Sequence, residues 1–277
     1  MTTRSSRSTP RAKSAARSGT RSLWVAGICF AAVIILAIRL TTPQAHDVSD
    51  LRAALIDQLS PAYASEAFQS SVTADIGSFG LPLDVYEGDQ VDVGLYRGIG
   101  QKHYGVLVIR SHSGILELES TENESITALF TNEPYSDSKH VAEQLGDRIL
   151  IVRPFEGDRE LTFGVTPEFF RQSMRGQLPG TVVVVAGCSI LSRTDLAEAL
   201  ISRGASVVIS WDRSVGLEHV DEATALLVHY LLAEGKTVED AVVAAMVEAG
   251  PDPEFGASLK FYPPSAGDFT AKQLLSQ

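Results

Sequence analysis

Thr181-Val182-Val183-Val184-Val185-Ala186-Gly187-Cys188 is the stretch on which the reading of the fold turns. It is a strongly β-branched run, and stiff branched side chains suit an extended strand. It is short and apolar throughout rather than alternating, which predicts a parallel strand buried on both faces. It ends in glycine and a cysteine. A second run of the same kind, Val106-Leu107-Val108-Ile109, leads through Arg110-Ser111 to His112-Ser113-Gly114. Open α/β sheets place their chemistry at the carboxyl ends of parallel strands. A lone thiol and a histidine at two such ends are the minimum for thiolate catalysis.

Outward from these runs the pattern keeps alternating. Ala53–Ile56 and Leu83–Tyr86 predict two earlier strands. Between them Phe68, Val72, Ile76 and Phe79 recur at helical spacing and stop near Gly80. Val91–Tyr96 predicts a short helix. Between the two key runs, 126–130 and 149–152 predict strands, 137–145 a helix and 160–165 an edge or hairpin strand. Thr166-Pro167-Glu168 is a helix start, with an N-cap followed by proline at the first position. After Cys188 come a helix over 193–202, a strand over 206–210 and helices over 217–233 and 237–249, with Gly204, Gly235 and Gly250-Pro251 as stops. Strands alternating with helices predict an α/β domain: a mainly parallel sheet with helices on both faces.

The N-terminus is different in kind. Residues 1–22 hold Arg4, Arg7, Arg11, Lys13, Arg17 and Arg21 with no acid, which predicts a disordered basic cytoplasmic tail. Residues 23–40 predict one transmembrane helix, almost wholly apolar from Leu23 to Ile38, with Arg21 and Arg39 able to snorkel at its ends. A cleaved signal peptide is the rival, but Thr42-Pro43-Gln44-Ala45 is a poor cleavage site. Residues 41–50 are a polar linker and 51–277 the domain. The basic tail predicts a single-pass protein anchored by an uncleaved signal, N-terminus cytoplasmic and domain extracytoplasmic.

The whole chain carries −11. Seven basic residues and no acid precede residue 40, so the remainder carries −18. So acidic a domain argues against nucleic acid as a partner. Cys29 falls in the apolar helix, leaving Cys188 as the single cysteine elsewhere. Its bland reading is a buried, inert thiol. Asn123-Glu124-Ser125 is a glycosylation sequon.

The order of elements resembles the caspase-like cysteine peptidases, the superfamily that includes gingipain-like, separase-like and CHAT domains. In them three strands with two helices lead to a histidine, an insertion follows, and a fourth strand ends in a small residue and cysteine. The resemblance covers about residues 51–250. It rests on His112-Ser113-Gly114, where the superfamily has an uninterrupted His-Gly pair, and on Ala186-Gly187-Cys188, with glycine for the usual alanine. Downstream, Asp195–Leu200, Arg203-Gly204-Ala205 and Val207–Asp212 are similar to a helix, turn and strand of separase-like and CHAT-like sequences, which often end in Trp-Asp.

The resemblance implies a hydrolase, a cysteine endopeptidase, acting on a peptide or protein substrate. Cys188 is then the nucleophile and His112 the partner that stabilises thiolate or protonates the leaving amine. The backbone N–H of Ser113 or Gly114 holds the oxyanion. The loop at Trp211 and Asp212 lines the pocket for the side chain before the scissile bond, so a carboxylate there implies cleavage after Arg or Lys. Read by itself, Asp212 is equally a helix N-cap or a surface acid. The helix after Cys188 is expected to lower the thiol pKa. The alternative is a catalytically silent module of the same fold that binds a peptide or surface partner, which the inserted Ser113 favours. A third is an unrelated α/β domain with a structural cysteine. Glu117, Glu119, Glu122 and Glu124 read as a solvated acidic face. No cofactor is expected, since the glycines make no phosphate-binding fingerprint. No metal is expected, since His46, His103, His140 and His219 lack ligand spacing.

Overall fold

A computed structural model of the chain describes residues 50–117, 125–154 and 160–276. The expected tail, membrane helix and all but the last residue of the linker lie outside the described residues, as do Glu119, Glu122, Asn123 and Glu124. Among the described residues no helix is long and apolar enough to cross a membrane.

The chain enters on β1 (Arg52–Asp57), passes through α1 (Glu66–Phe79) to β2 (Leu83–Glu87), then through α2 (Val93–Gly98) to β3 (Tyr104–Arg110). An insertion follows: β4 (Ser113–Glu117), β5 (Ser125–Pro134), α3 (Val141–Gln144), β6 (Ile149–Val152) and β7 (Thr162–Val165). Helix α4 (Pro167–Gln172) leads back to β8 (Val182–Ala186), α5 (Asp195–Ser202) and β9 (Val207–Trp211). The chain finishes with α6 (Leu217–Val228), α7 (Val238–Ala249), β10 (Leu259–Tyr262) and α8 (Ala271–Leu275).

Two sheets result. The main sheet has the order β10-β9-β8-β3-β1-β2 and is parallel except for β10. The insertion folds into its own antiparallel sheet, β4-β5-β7-β6. The main strand order reverses between β1 and β3, so the carboxyl ends of β1, β3 and β8 flank the crevice where such sheets bind ligands.

Helices cover both faces of the main sheet. Every residue of β3, β8 and β9 is buried. Val106 and Val108 with Val182 and Val184 face the layer of α1, α6 and α7, where they meet Phe68, Val72, Val220 and Ala241. Leu107 and Ile109 with Val183 and Val185 face α2, α4 and α5, where they meet Tyr96, Phe169 and Leu196. The local signals act as their chemistry requires. Thr166 accepts the Phe169 N–H ahead of Pro167 and so starts α4. Gly80, at φ +93°, closes α1 by donating to the Gly77 and Ile76 carbonyls.

Three readings are narrowed or completed. The stretch 160–165 is a hairpin strand and not an edge: β7 pairs antiparallel with the preceding strand β6 and lies between β5 and β6, with all four of its residues buried. The helix expected over 137–145 shrinks to Val141–Gln144, because the Gln144 amide donates to the Ser136 and Lys139 carbonyls and holds the preceding residues as a turn. The tail, unread beyond Asp252, supplies β10, which pairs antiparallel with β9 and closes that edge of the sheet.

Candidate active site

The two segments that end in His112 and Cys188 leave adjacent strands. Strand β3 pairs with β8 in parallel, with Arg110 opposite Ala186. Past the strand ends the contact continues. The Ser111 N–H donates to the Ala186 carbonyl at 3.1 Å, and Ser113 Oγ donates to the Cys188 carbonyl at 2.8 Å. Gly187 sits in the middle of this junction. A Cβ on it would lie 2.6 Å from Ser113 Oγ and 2.7 Å from the Ser111 carbonyl oxygen, inside any real contact. Ser113 and Gly187 are therefore one steric feature, since the serine side chain occupies the space that a side chain at 187 would need.

His112 is held from the end of β1. Its N–H donates to Gln58 Oε1 at 2.9 Å. Gln58 in turn donates through Nε2 to Asn132 Oδ1 at 2.8 Å, and the Asn132 amide donates to the Gln58 and Gly88 carbonyls. The imidazole lies between Tyr63 and Phe130, with ring centroids 6.4 and 6.3 Å away. Burial, helped by the nearby Arg110 cation, pushes the His112 pKa down to about 4. The imidazole is therefore neutral at physiological pH.

Cys188 is half-buried against the α1, α6 and α7 layer. Its thiol donates to the Val215 carbonyl at 3.7 Å. Burial pushes its pKa up, and the carboxylate of Asp252 adds to the rise, against the opposing Val215 bond. The expected help from a following helix does not materialise. Residues 189–194 are turns, and α5 begins only at Asp195, beyond the reach of a helix N-terminus. The resting pair is thus a neutral imidazole and a protonated thiol.

The oxyanion candidates separate cleanly. The Phe130 N–H donates to the His112 carbonyl, so Ser113 and Leu129 form a wide pair and Gly114 and Ala128 a hydrogen-bonded one. The Gly114 amide is committed to β5, while the Ser113 amide turns away from it.

The other expected substrate residues are placed differently. Trp211 is fully buried in the core, with its ring against His219 at 5.5 Å, so its side chain forms no exposed pocket wall. Burial of so large an apolar surface explains this placement. The Asp212 carboxylate accepts the Ser258 N–H at 2.8 Å and lies 3.9 Å from Lys260 Nζ, fastening β10 to the end of β9. Among the described residues no group of three or more His, Cys, Asp or Glu could hold a metal ion.

Two cavities open beside the junction. One, of about 310 Å³, is lined by His112, Gln58, Asn132, Asp89, Glu160 and Thr162 among others. The other, of about 670 Å³, is lined by Tyr63, Gly216, Glu218, Glu222, Asp252 and Glu254 among others. Tyr63 links them, since it packs on His112 and walls the second cavity. Cys188 lines neither cavity; its thiol bonds to the carbonyl of Val215, one residue before Gly216 in the wall of the second.

The reading of the sequence missed one buried constellation beneath the site. Arg110 is fully buried and donates to Asp57 at 2.9 Å and bidentately to Asp221 at 2.6 and 2.9 Å. Its guanidinium also stacks over Phe68, 5.6 Å from the ring centroid. A signal was present: a cation on a strand buried on both faces demands carboxylate partners. Gln58 and Tyr63, missed as well, carried no comparable mark. No known family model matches this chain, and no curated protein matches it.

Proposed function

We propose that this chain is a membrane-anchored, caspase-like cysteine endopeptidase in which Cys188 and His112 act as a dyad, with the domain carried outside the cytoplasm. The observation that carries the reading is the junction itself. The histidine follows the third strand of the main sheet and the cysteine the fourth, these strands are neighbours, and their ends are joined through Ser113 and Cys188. The insertion between them forms a separate sheet.

The resting charges define the chemistry. Neutral His112 acts as general base: as the sulfur bonds to the scissile carbonyl carbon, the thiol proton passes to the imidazole. The oxyanion rests on the Ser113 amide. Collapse breaks the C–N bond, His112 returns the proton to the leaving amine, and water then hydrolyses the thioester. Because Asp212 is engaged at the sheet edge, preference for a basic residue before the scissile bond rests on Glu218, Glu222 and Glu254 around the larger cavity, with Tyr63 as an aromatic wall.

The test is covalent labelling of the full chain in detergent. An acyloxymethyl ketone bearing Arg or Lys is expected to modify Cys188. Cys188→Ala abolishes labelling and His112→Ala slows it by about 10²-fold or more, the size of a lost general base. The pH profile carries the sign of the His112 shift. Base catalysis needs the neutral imidazole, so the rate holds well below pH 6.5 and falls only as pH drops through about 4. An acid limb near 6.5 would contradict that role. The second reading, a silent binding module, is favoured by the raised thiol pKa. Absence of labelling in the folded chain decides for it.

A further inference from the structure

The smaller cavity contains His112 but not Cys188. In the reaction just proposed, the sulfur meets the carbonyl carbon and the imidazole meets the leaving nitrogen. The side chain next to the leaving amine therefore falls on the histidine side of the junction. What lines that side is specific. Thr162 is 8% exposed, and its Oγ1 is buried in the wall with no hydrogen-bond partner among the described residues. A buried hydroxyl without a partner costs free energy unless something completes it. The Gln58 and Asn132 amides in the same wall are already bonded to one another and to the backbone. Leu59, Pro61, Ala62 and Pro154 supply an apolar wall, and the exposed acids Asp89 and Glu160 complete the lining.

This arrangement suits a long apolar stem that ends in several donors and one positive charge. A lysine side chain has that form, with an ammonium that can complete the Thr162 hydroxyl and pair with a carboxylate of the lining. We infer that the cavity beside His112 is the subsite for a lysine immediately after the scissile bond. This rests on the peptidase reading above and deepens it: the substrate then carries basic residues on both sides of the bond that breaks.

The test uses the full chain in detergent and three internally quenched peptides, identical except for Lys, Ala or Glu after the cleavage site. The lysine peptide is expected to exceed the alanine peptide in kcat/KM by about tenfold or more, the scale of a charge-assisted hydrogen bond. Glutamate is expected to fall below alanine. Thr162→Val, and separately Asp89→Asn with Glu160→Gln, should bring the lysine preference, the ratio of kcat/KM for the lysine and alanine peptides, toward one. Equal rates for lysine and alanine in the wild type, or a lysine preference that survives both variants, overturn the subsite. The acyloxymethyl ketone keeps the two proposals apart, because it carries no amino acid beyond the reacting carbon. Labelling at Cys188 without lysine preference removes the subsite alone. Neither labelling nor cleavage removes both.

Discussion

The two sheets of this domain solve burial in opposite ways. The main sheet is covered on both faces, and its central strands β3, β8 and β9 expose nothing. The inserted sheet is buried only toward its middle: β7 and the centre of β5 are buried on both faces, while β4 and β6 are partly exposed. Its Leu129, Ile149, Phe163 and Val165 join the core under α2, α4 and α5, while the opposite face gathers only Ala128, Phe130 and Val152 with Leu116. Its outer strand β4 alternates between exposed and half-buried residues. Parallel strands in a covered sheet read as continuous apolar runs, and antiparallel strands with one wet face alternate. The comparison also divides the labour. The main sheet supplies the groups proposed to react, His112 and Cys188. The inserted sheet supplies walls, notably Asn132 and Thr162.

Three substitutions test that division, from the rigid sheet outward. Arg110→Met removes the cation between Asp57 and Asp221 and leaves two carboxylates without their counter-ion, one of them fully enclosed. The expected cost is about 3–5 kcal/mol, read from denaturant unfolding. A loss under 1 kcal/mol would mean that the main sheet tolerates a buried charge as easily as a surface.

Gly187→Ala tests the junction between the sheets. The new methyl meets Ser113 Oγ and the Ser111 carbonyl, with an expected cost of about 2 kcal/mol. Adding Ser113→Gly removes only the first clash, so the double variant should recover part of the loss and not all of it. Strict additivity of the two changes would show that Ser113 and Gly187 are not coupled.

The smallest effect belongs to the inserted sheet and has the opposite sign. Thr162→Val exchanges a buried hydroxyl, without a partner among the described residues, for a methyl of equal size. It should raise stability by about 1 kcal/mol, seen as a higher melting temperature, while the lysine preference is lost. Destabilisation instead would mean that the hydroxyl is satisfied within the protein, and the subsite would lose its main support.

Legibility in the sequence followed the same divide. The runs 106–109 and 182–186 could be read because a strand buried on both faces leaves no room for polar residues. His112 and Cys188 were legible as the polar residues that end those runs. Strand β4 escaped because Ser113 and Gly114 look like a turn, and only pairing with β5 makes them a strand. The Arg110 constellation escaped because its partners lie 53 and 111 positions away along the chain. Trp211 and Asp212 were legible as a strand end but not in their roles. Whether a tryptophan faces the core or a cleft depends on what packs against it.

The sequence by itself determined the alternation of strand and helix, the burial of the sheet, and the placing of one histidine and one thiol at strand ends. These follow from side-chain volume, branching and polarity, which act locally and repeat along the chain. Only the tertiary structure decided that β3 lies beside β8, that the insertion forms its own sheet, and that the thiol faces Val215. It alone decided that His112 is neutral and Cys188 protonated. Protonation reflects desolvation and neighbouring charge, and those come from residues the chain brings together only after it has folded.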